Sequence, residues 1–135
     1  MQHPSLIQWE KLLKKLIDDL DDYLEDRYGN MYHLHPARSK RGTTTNKAHD
    51  GLFDVVASFT LGLGTKHGKG YIVDVHISTL EKVPDEIEKQ IHNAAVKHLR
   101  KKISEFFPEK DLKVSRNKKI IKIHGDLSLG PVDLE

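Results

Sequence analysis

Leu6, Trp9, Leu13, Leu16, Leu20 and Tyr23 follow one another at alternating steps of three and four, a single apolar stripe along a helix that has to be covered by something. Ser5 with Gln8 forms a capping-box pattern at its start, and Gly29 with Asn30 stops it, so a helix is expected over residues 5–28. The spacing is also that of an a/d heptad seam, with Asp18, Asp19, Asp21, Asp22, Glu25 and Asp26 crowded on the remaining faces. Two covers fit such a stripe: the chain's own sheet, or the same helix of a second copy in a homodimer.

Further along, the period changes from 3.6 to 2. Phe53, Val55, Ala57, Phe59, Leu61 and Leu63 alternate with Asp54, Val56, Ser58, Thr60 and Gly62, and Tyr71, Val73, Val75 and Ile77 alternate with Ile72, Asp74, His76 and Ser78. Both runs read as half-buried strands joined as a hairpin through GTKHGKG. A second helix is expected over residues 84–107: Pro84 suits its first turn, Asp85, Glu86 and Glu88 complement its positive end, and Ile87, Ile91, Ala94, Ala95, Leu99, Ile103 and Phe106 form the stripe. LKVS and KKIIKIHG then flank Arg116-Asn117 as a tighter hairpin, with Leu112, Val114, Ile121 and Ile123 as core contacts.

The order α-loop-ββ-α-ββ predicts an α+β fold: a mostly antiparallel sheet of about four strands with two helices on one face. Residues 1–135 form one domain, divided into the helix, a basic loop over 30–51 and a ββαββ core over 52–130. Leu134-Glu135 are read as a cloning junction. With no cysteine, disulfides and thiolate metal sites are excluded. No stretch approaches the length of a membrane span and no leader pattern opens the chain, so a cytoplasmic protein without membrane contact is expected.

The net charge of +2 is small, but its distribution is uneven. Positive charge gathers in MYHLHPARSKRGTTTNKAHDG, residues 31–51, a loop longer than a compact domain ordinarily carries without a use for it. Arginine forks, lysines and threonine hydroxyls suit phosphate oxygens. The glycine-rich turn LGLGTKHGKGY adds converging backbone N–H groups, although a strand rather than a helix follows it, so it is not a nucleotide-binding glycine loop.

The functional expectation is therefore a pocket for a phosphate-bearing ligand, a nucleotide, phosphometabolite or RNA, held by Arg38, Arg41, Lys66, Gly68 and Lys69. His35, His49, His67 and His76 are the candidates for acid–base chemistry. A rival reading places a metal on Asp74, His76 and His124, on the polar parity of the sheet, for a hydrolase; another makes the protein a non-catalytic, homo-oligomeric interaction module. No cofactor is identified by any motif. HGDL at 124–127 lacks the companion residues of a phosphotransferase loop and reads as a strand end and turn.

Overall fold

The computed structural model describes residues 4–44, 50–62 and 68–125. Helix α1 spans Pro4–Tyr28, strands β1 and β2 span Phe53–Thr60 and Gly70–Ile77, helix α2 spans Asp85–Phe106, and β3 and β4 span Leu112–Asn117 and Ile120–Gly125. All the strand pairings are antiparallel, in the order β1-β2-β4-β3. This is the α+β arrangement expected from the change of period along the chain.

Register decides which side chains share a face. Phe53 lies opposite Ile77, Val55 opposite Val75 and Ala57 opposite Val73, while Val73 and Tyr71 face Ile121 and Ile123 of β4, and Ile123 faces Val114 of β3. Opposed residues point to the same side of a sheet. Phe53, Val55, Val73, Ile121, Ile123 and Val114 are buried in one cluster with Trp9, Leu13, Leu16, Leu20 and Leu24 of α1 and Ile91, Leu99 and Ile103 of α2. Both helices thus cover one face. Trp9 ties the layers: its Nε1–H donates to the Tyr71 hydroxyl at 2.9 Å and its ring packs against Phe107 with centroids 4.5 Å apart.

The α1 stripe is consequently satisfied within the chain. Leu16, Leu20 and Leu24 are completely buried, so the heptad spacing marks the core, and the seam expected as one route to a homodimer is covered by the chain's own sheet.

Three local departures from the expected boundaries have clear causes. The alternation of β1 ends at Thr60, because the chain crosses itself closely: a Cβ on Gly62 (φ 68°) would collide with the Gly68 carbonyl. The second hairpin turns at Lys118-Lys119 rather than Arg116-Asn117, with Lys118 taking a left-handed φ of 57° and β3 continuing through Asn117. On the face away from the helices, Lys122 and His124 keep only 6% and 8% of their exposure, so this end of that face is not a solvated surface; the Lys122 ammonium donates to the Gly68 carbonyl.

Removing three buried carbons at the centre of α1 leaves a cavity that a two-layer core cannot close. Leu16→Ala is expected to cost about 2–5 kcal/mol in denaturant unfolding with a folded far-UV spectrum retained. A change near zero would contradict the packing.

Candidate functional site

The basic loop is fastened to its own chain. Arg38 spans the start of β1, its Nε donating to the Gly51 carbonyl and its Nη2 to the carbonyls of Asp50 and Phe53, each at 2.9 Å. Arg41 reaches the acidic flank of α1, at 2.6 Å from Asp26 and 3.3 Å from Asp22. Asp50, 3% exposed, accepts from the Gly42 and Thr44 amides and the Thr44 hydroxyl at 3.0–3.2 Å. From the helix, Glu25 accepts the Phe53 amide at 2.7 Å. Gly51, at φ 75°, must be glycine twice over, because a Cβ there would stand 2.6 Å from the Glu25 carboxylate. The acids on α1 and the arginines of the loop are two sides of one seam.

That seam buries charge at a cost. Asp21 is 3% exposed and its Oδ2 has no hydrogen-bond partner. Burial first, then Glu25 and to a lesser degree Asp22, Asp18 and Asp50, push its pKa up to about 7. Glu25 is raised too, mainly by burial, against the opposing pull of the Phe53 amide and Arg41. Arg41 is held above its ordinary value by Asp26, with Asp22 helping.

The residues expected to converge on an anion are not brought together. Lys69 precedes β2 beside the Thr60–Gly70 pair, whereas Arg38 bonds the other end at Phe53, opposite Ile77. Seven strand steps, roughly 24 Å, separate those ends. Gly68 supplies its carbonyl to Lys122. His49, Lys66 and His67 lie outside the described residues.

His35 and His76, by contrast, do meet. His35, Arg38, His76, Ser78 and Thr79 line a hollow of about 310 Å³. A second, of about 380 Å³, shares His76 and Thr79 and extends past Asp74, Glu81, Glu88, His92 and Lys119. The two form one cleft along the last half of β2, the half that outruns its pairing with β4. The histidines on its two sides are set oppositely. His92 Nδ1 donates to the Glu88 carbonyl at 2.7 Å, which leaves Nε2 as its basic nitrogen; His35 Nδ1 accepts from the Ala37 amide at 3.0 Å, which puts the proton of its neutral ring on Nε2. Asp74 and His76 share this region, but His124 pairs with Gly70, six residues along β2 from His76, and among the described residues no three carboxylates or imidazoles come together to hold a metal.

A third site was not expected from the sequence. Between α2 and β3 lies an open groove of about 580 Å³ lined by Asn93, Val96, Lys97, Arg100, Arg116 and Lys118. Its walls carry four cations and, among the described residues, no carboxylate. Asn93, Lys97 and Arg100 project from one flank of α2 at steps of four and three. Arg116 faces Ile121 in the ladder, so it holds a core-parity position, but at the end of β3 it runs out along α2 and donates to the Asn93 side-chain carbonyl and, through Nε, to the Lys118 backbone carbonyl. Arg100 is positioned by one bond from Nε to the Val114 carbonyl at 3.0 Å, which leaves its terminal nitrogens for the groove. Lys97 and Lys118 make no ion pair among the described residues. An arginine where the alternation calls for an apolar residue was the signal available in the sequence.

Comparison with known proteins places the chain among relatives without assigning a reaction. A family model described as "Uncharacterised protein" matches residues 4–125. An uncharacterized protein of Borreliella burgdorferi is 36% identical over 118 residues, covering 87% of this chain and 92% of that protein. No solved structure matches.

The buried seam predicts a pH dependence. An acid whose folded pKa is raised binds its proton more tightly when folded, so the stability Asp21 contributes is full below its ordinary value of 3.8 and is lost as pH rises to about 7. Stability measured by urea unfolding is expected to fall across that window, and Asp21→Asn to flatten the slope and stabilise the protein at pH 7 by on the order of 2 kcal/mol. An unchanged slope in the variant would contradict the assignment.

Proposed function

The chain belongs to this family of uncharacterised proteins, and we propose that it binds the phosphate groups of a ligand in the groove between α2 and β3. The observation that carries the reading is the composition of the groove: Lys97, Arg100, Arg116 and Lys118 face one space with no described carboxylate among them. Arginine forks grip phosphate oxygens bidentately and lysines supply mobile charge, and neutralising successive phosphates releases counterions. Among the ligands considered, RNA suits the groove best. It is open, it runs along an edge of the molecule, and no aromatic ring lines it on which a base would stack, so the contacts fall on the backbone and carry little sequence preference. The loop reading stands at a lower level: Arg38 and Arg41 are engaged within the chain, Gly68 and Lys69 lie at the far end of the sheet, and Lys66 is outside the described residues.

The cleft at His76 supports a second reading, acid–base chemistry on a small polar substrate, on one observation: His35 lines one of its hollows and His92 the other, with His76 common to both, and their Nδ1 bonds leave a donor on the first ring and a basic nitrogen on the second.

Fluorescence anisotropy of a labelled single-stranded RNA tests the first reading. Binding is expected to weaken steeply with added salt, and Lys97→Glu with Lys118→Glu to lower affinity at least about tenfold while reducing the salt slope. Arg41→Ala is expected to lower stability and leave binding unchanged. Affinity lost in Arg41→Ala but kept in the double variant would move the site back to the loop.

A further inference from the structure

The two edges of the sheet are finished differently. β3, at one edge, is blunted: Lys113 and Arg116 lie in it, and Arg100 of α2 donates to the Val114 carbonyl. β1, at the other, reads FDVVASFT, with neither the lysine nor the proline that commonly protects an edge. The Ser78 amide donates to the Leu52 carbonyl, so by strand alternation Asp54, Val56, Ser58 and Thr60 bond to β2 while Phe53, Val55, Ala57 and Phe59 turn their backbone groups outward. At Phe53 both outward groups are taken, the amide by Glu25 and the carbonyl by Arg38. The next three outward positions, Val55, Ala57 and Phe59, have no strand beside them among the described residues.

The surroundings of this open stretch are apolar. A groove of about 470 Å³ runs between β1 and the outer flank of α1, lined by Leu13, Ile17, Val55, Ala57, Phe59 and Tyr71, with Glu10 and Lys14 on its helical rim. Beside it Phe59 is 53% exposed and Leu61 62% exposed, and Ile7 stands one turn before Glu10 on the same flank of α1.

We propose that this edge is the interface of a homodimer in which β1 pairs antiparallel with β1 of a second copy, centred on Ala57. The pattern is self-complementary. Centring on Ala57 sets it opposite its own counterpart and Val55 opposite Phe59 of the partner copy, so the three outward positions of each chain satisfy those of the other. Ala57 is the smallest side chain in the stretch and sits where the two copies approach on the axis. The two-fold also lays the α1 flanks against one another in opposite directions, closing both apolar grooves, and brings the Glu10 carboxylate of each copy toward the Lys14 ammonium of the other, one helical turn away on the rim. Lys14 already pairs with Asp18 at 2.8 Å, so the contact extends an existing network. The product is one continuous eight-stranded sheet, with α2 and its basic groove at both far ends. This interface is distinct from the heptad seam, which the core consumes.

Sedimentation equilibrium on the full chain at micromolar concentration tests the proposal. The wild type is expected to be a dimer whose melting temperature rises with concentration, and Phe59→Lys a folded monomer with an unchanged far-UV spectrum whose melting temperature does not depend on concentration. Ala57→Pro removes only an outward N–H and is expected to give the same monomer. Because the chain has no cysteine, a single Ala57→Cys adds a directed probe: directly opposed residues of a hydrogen-bonded pair lie about 5.5 Å apart at Cα, so a short bismaleimide is expected to cross-link it, and Ile120→Cys, exposed elsewhere, is not. A monomeric wild type, or a dimer that survives both Phe59→Lys and Ala57→Pro and is not cross-linked through Cys at position 57, overturns the proposal.

Discussion

The acceptance of the Phe53 amide by the Glu25 carboxylate is the contact on which the placement of the rest depends. It joins the last turns of α1 to the first residue of β1 across 28 positions of sequence, over a glycine that lets the carboxylate approach the backbone. Arg38 closes the same corner by holding the backbone carbonyls of Asp50, Gly51 and Phe53, and Arg41 draws the loop onto the helix flank. The strand edge is thereby sealed at Phe53. The cost is a set of carboxylates withdrawn from water, visible in the raised pKa values of Asp21 and Glu25.

From that corner the charge of the molecule sorts into two kinds. The two arginines of the loop are consumed by structure: the donors of Arg38 point at carbonyls and those of Arg41 at acids of the same chain. The cations between α2 and β3 are not, since Asp85, Glu86 and Glu88 of α2 gather at its first turn, the remaining carboxylate of the helix, Glu105, pairs with Lys102, and Arg116 is anchored by neutral acceptors. A net charge near zero thus coexists with a locally basic groove. The field that matters to a phosphate is the local one, because screening removes contributions from beyond about 10 Å in ordinary salt.

The elements were legible because each carries its own period. Trp9, Leu13, Leu16 and Leu20 announce a helix whatever covers them, and the alternation from Phe53 and from Tyr71 announces strands. What lay beyond the sequence was set by pairing between distant segments. Asp21 and Glu25 look like solvated acids on a helix's polar face until a loop some 20 residues later lies over them. Arg38 looks like a ligand-binding fork until the carbonyls of Asp50, Gly51 and Phe53 meet it. The basic groove depends on the strand order, which puts β3 at an edge beneath α2; the alternation around Arg116 carried a trace of it, in an arginine with the parity of Val114 and Ile121. The cleft at His76 depends on β4 being too short to pair with all of β2.

The central claim is that the charge available to a ligand lies between α2 and β3 and not in the loop. Titration of the isotopically labelled protein with a short single-stranded RNA, followed by backbone amide shifts in NMR, tests it residue by residue. The account predicts saturable, salt-sensitive shifts concentrated at Asn93, Lys97, Arg100, Arg116 and Lys118, with Arg38, Arg41 and Gly42 unmoved. Shifts concentrated at Arg38 to Thr44 with the groove silent would contradict it.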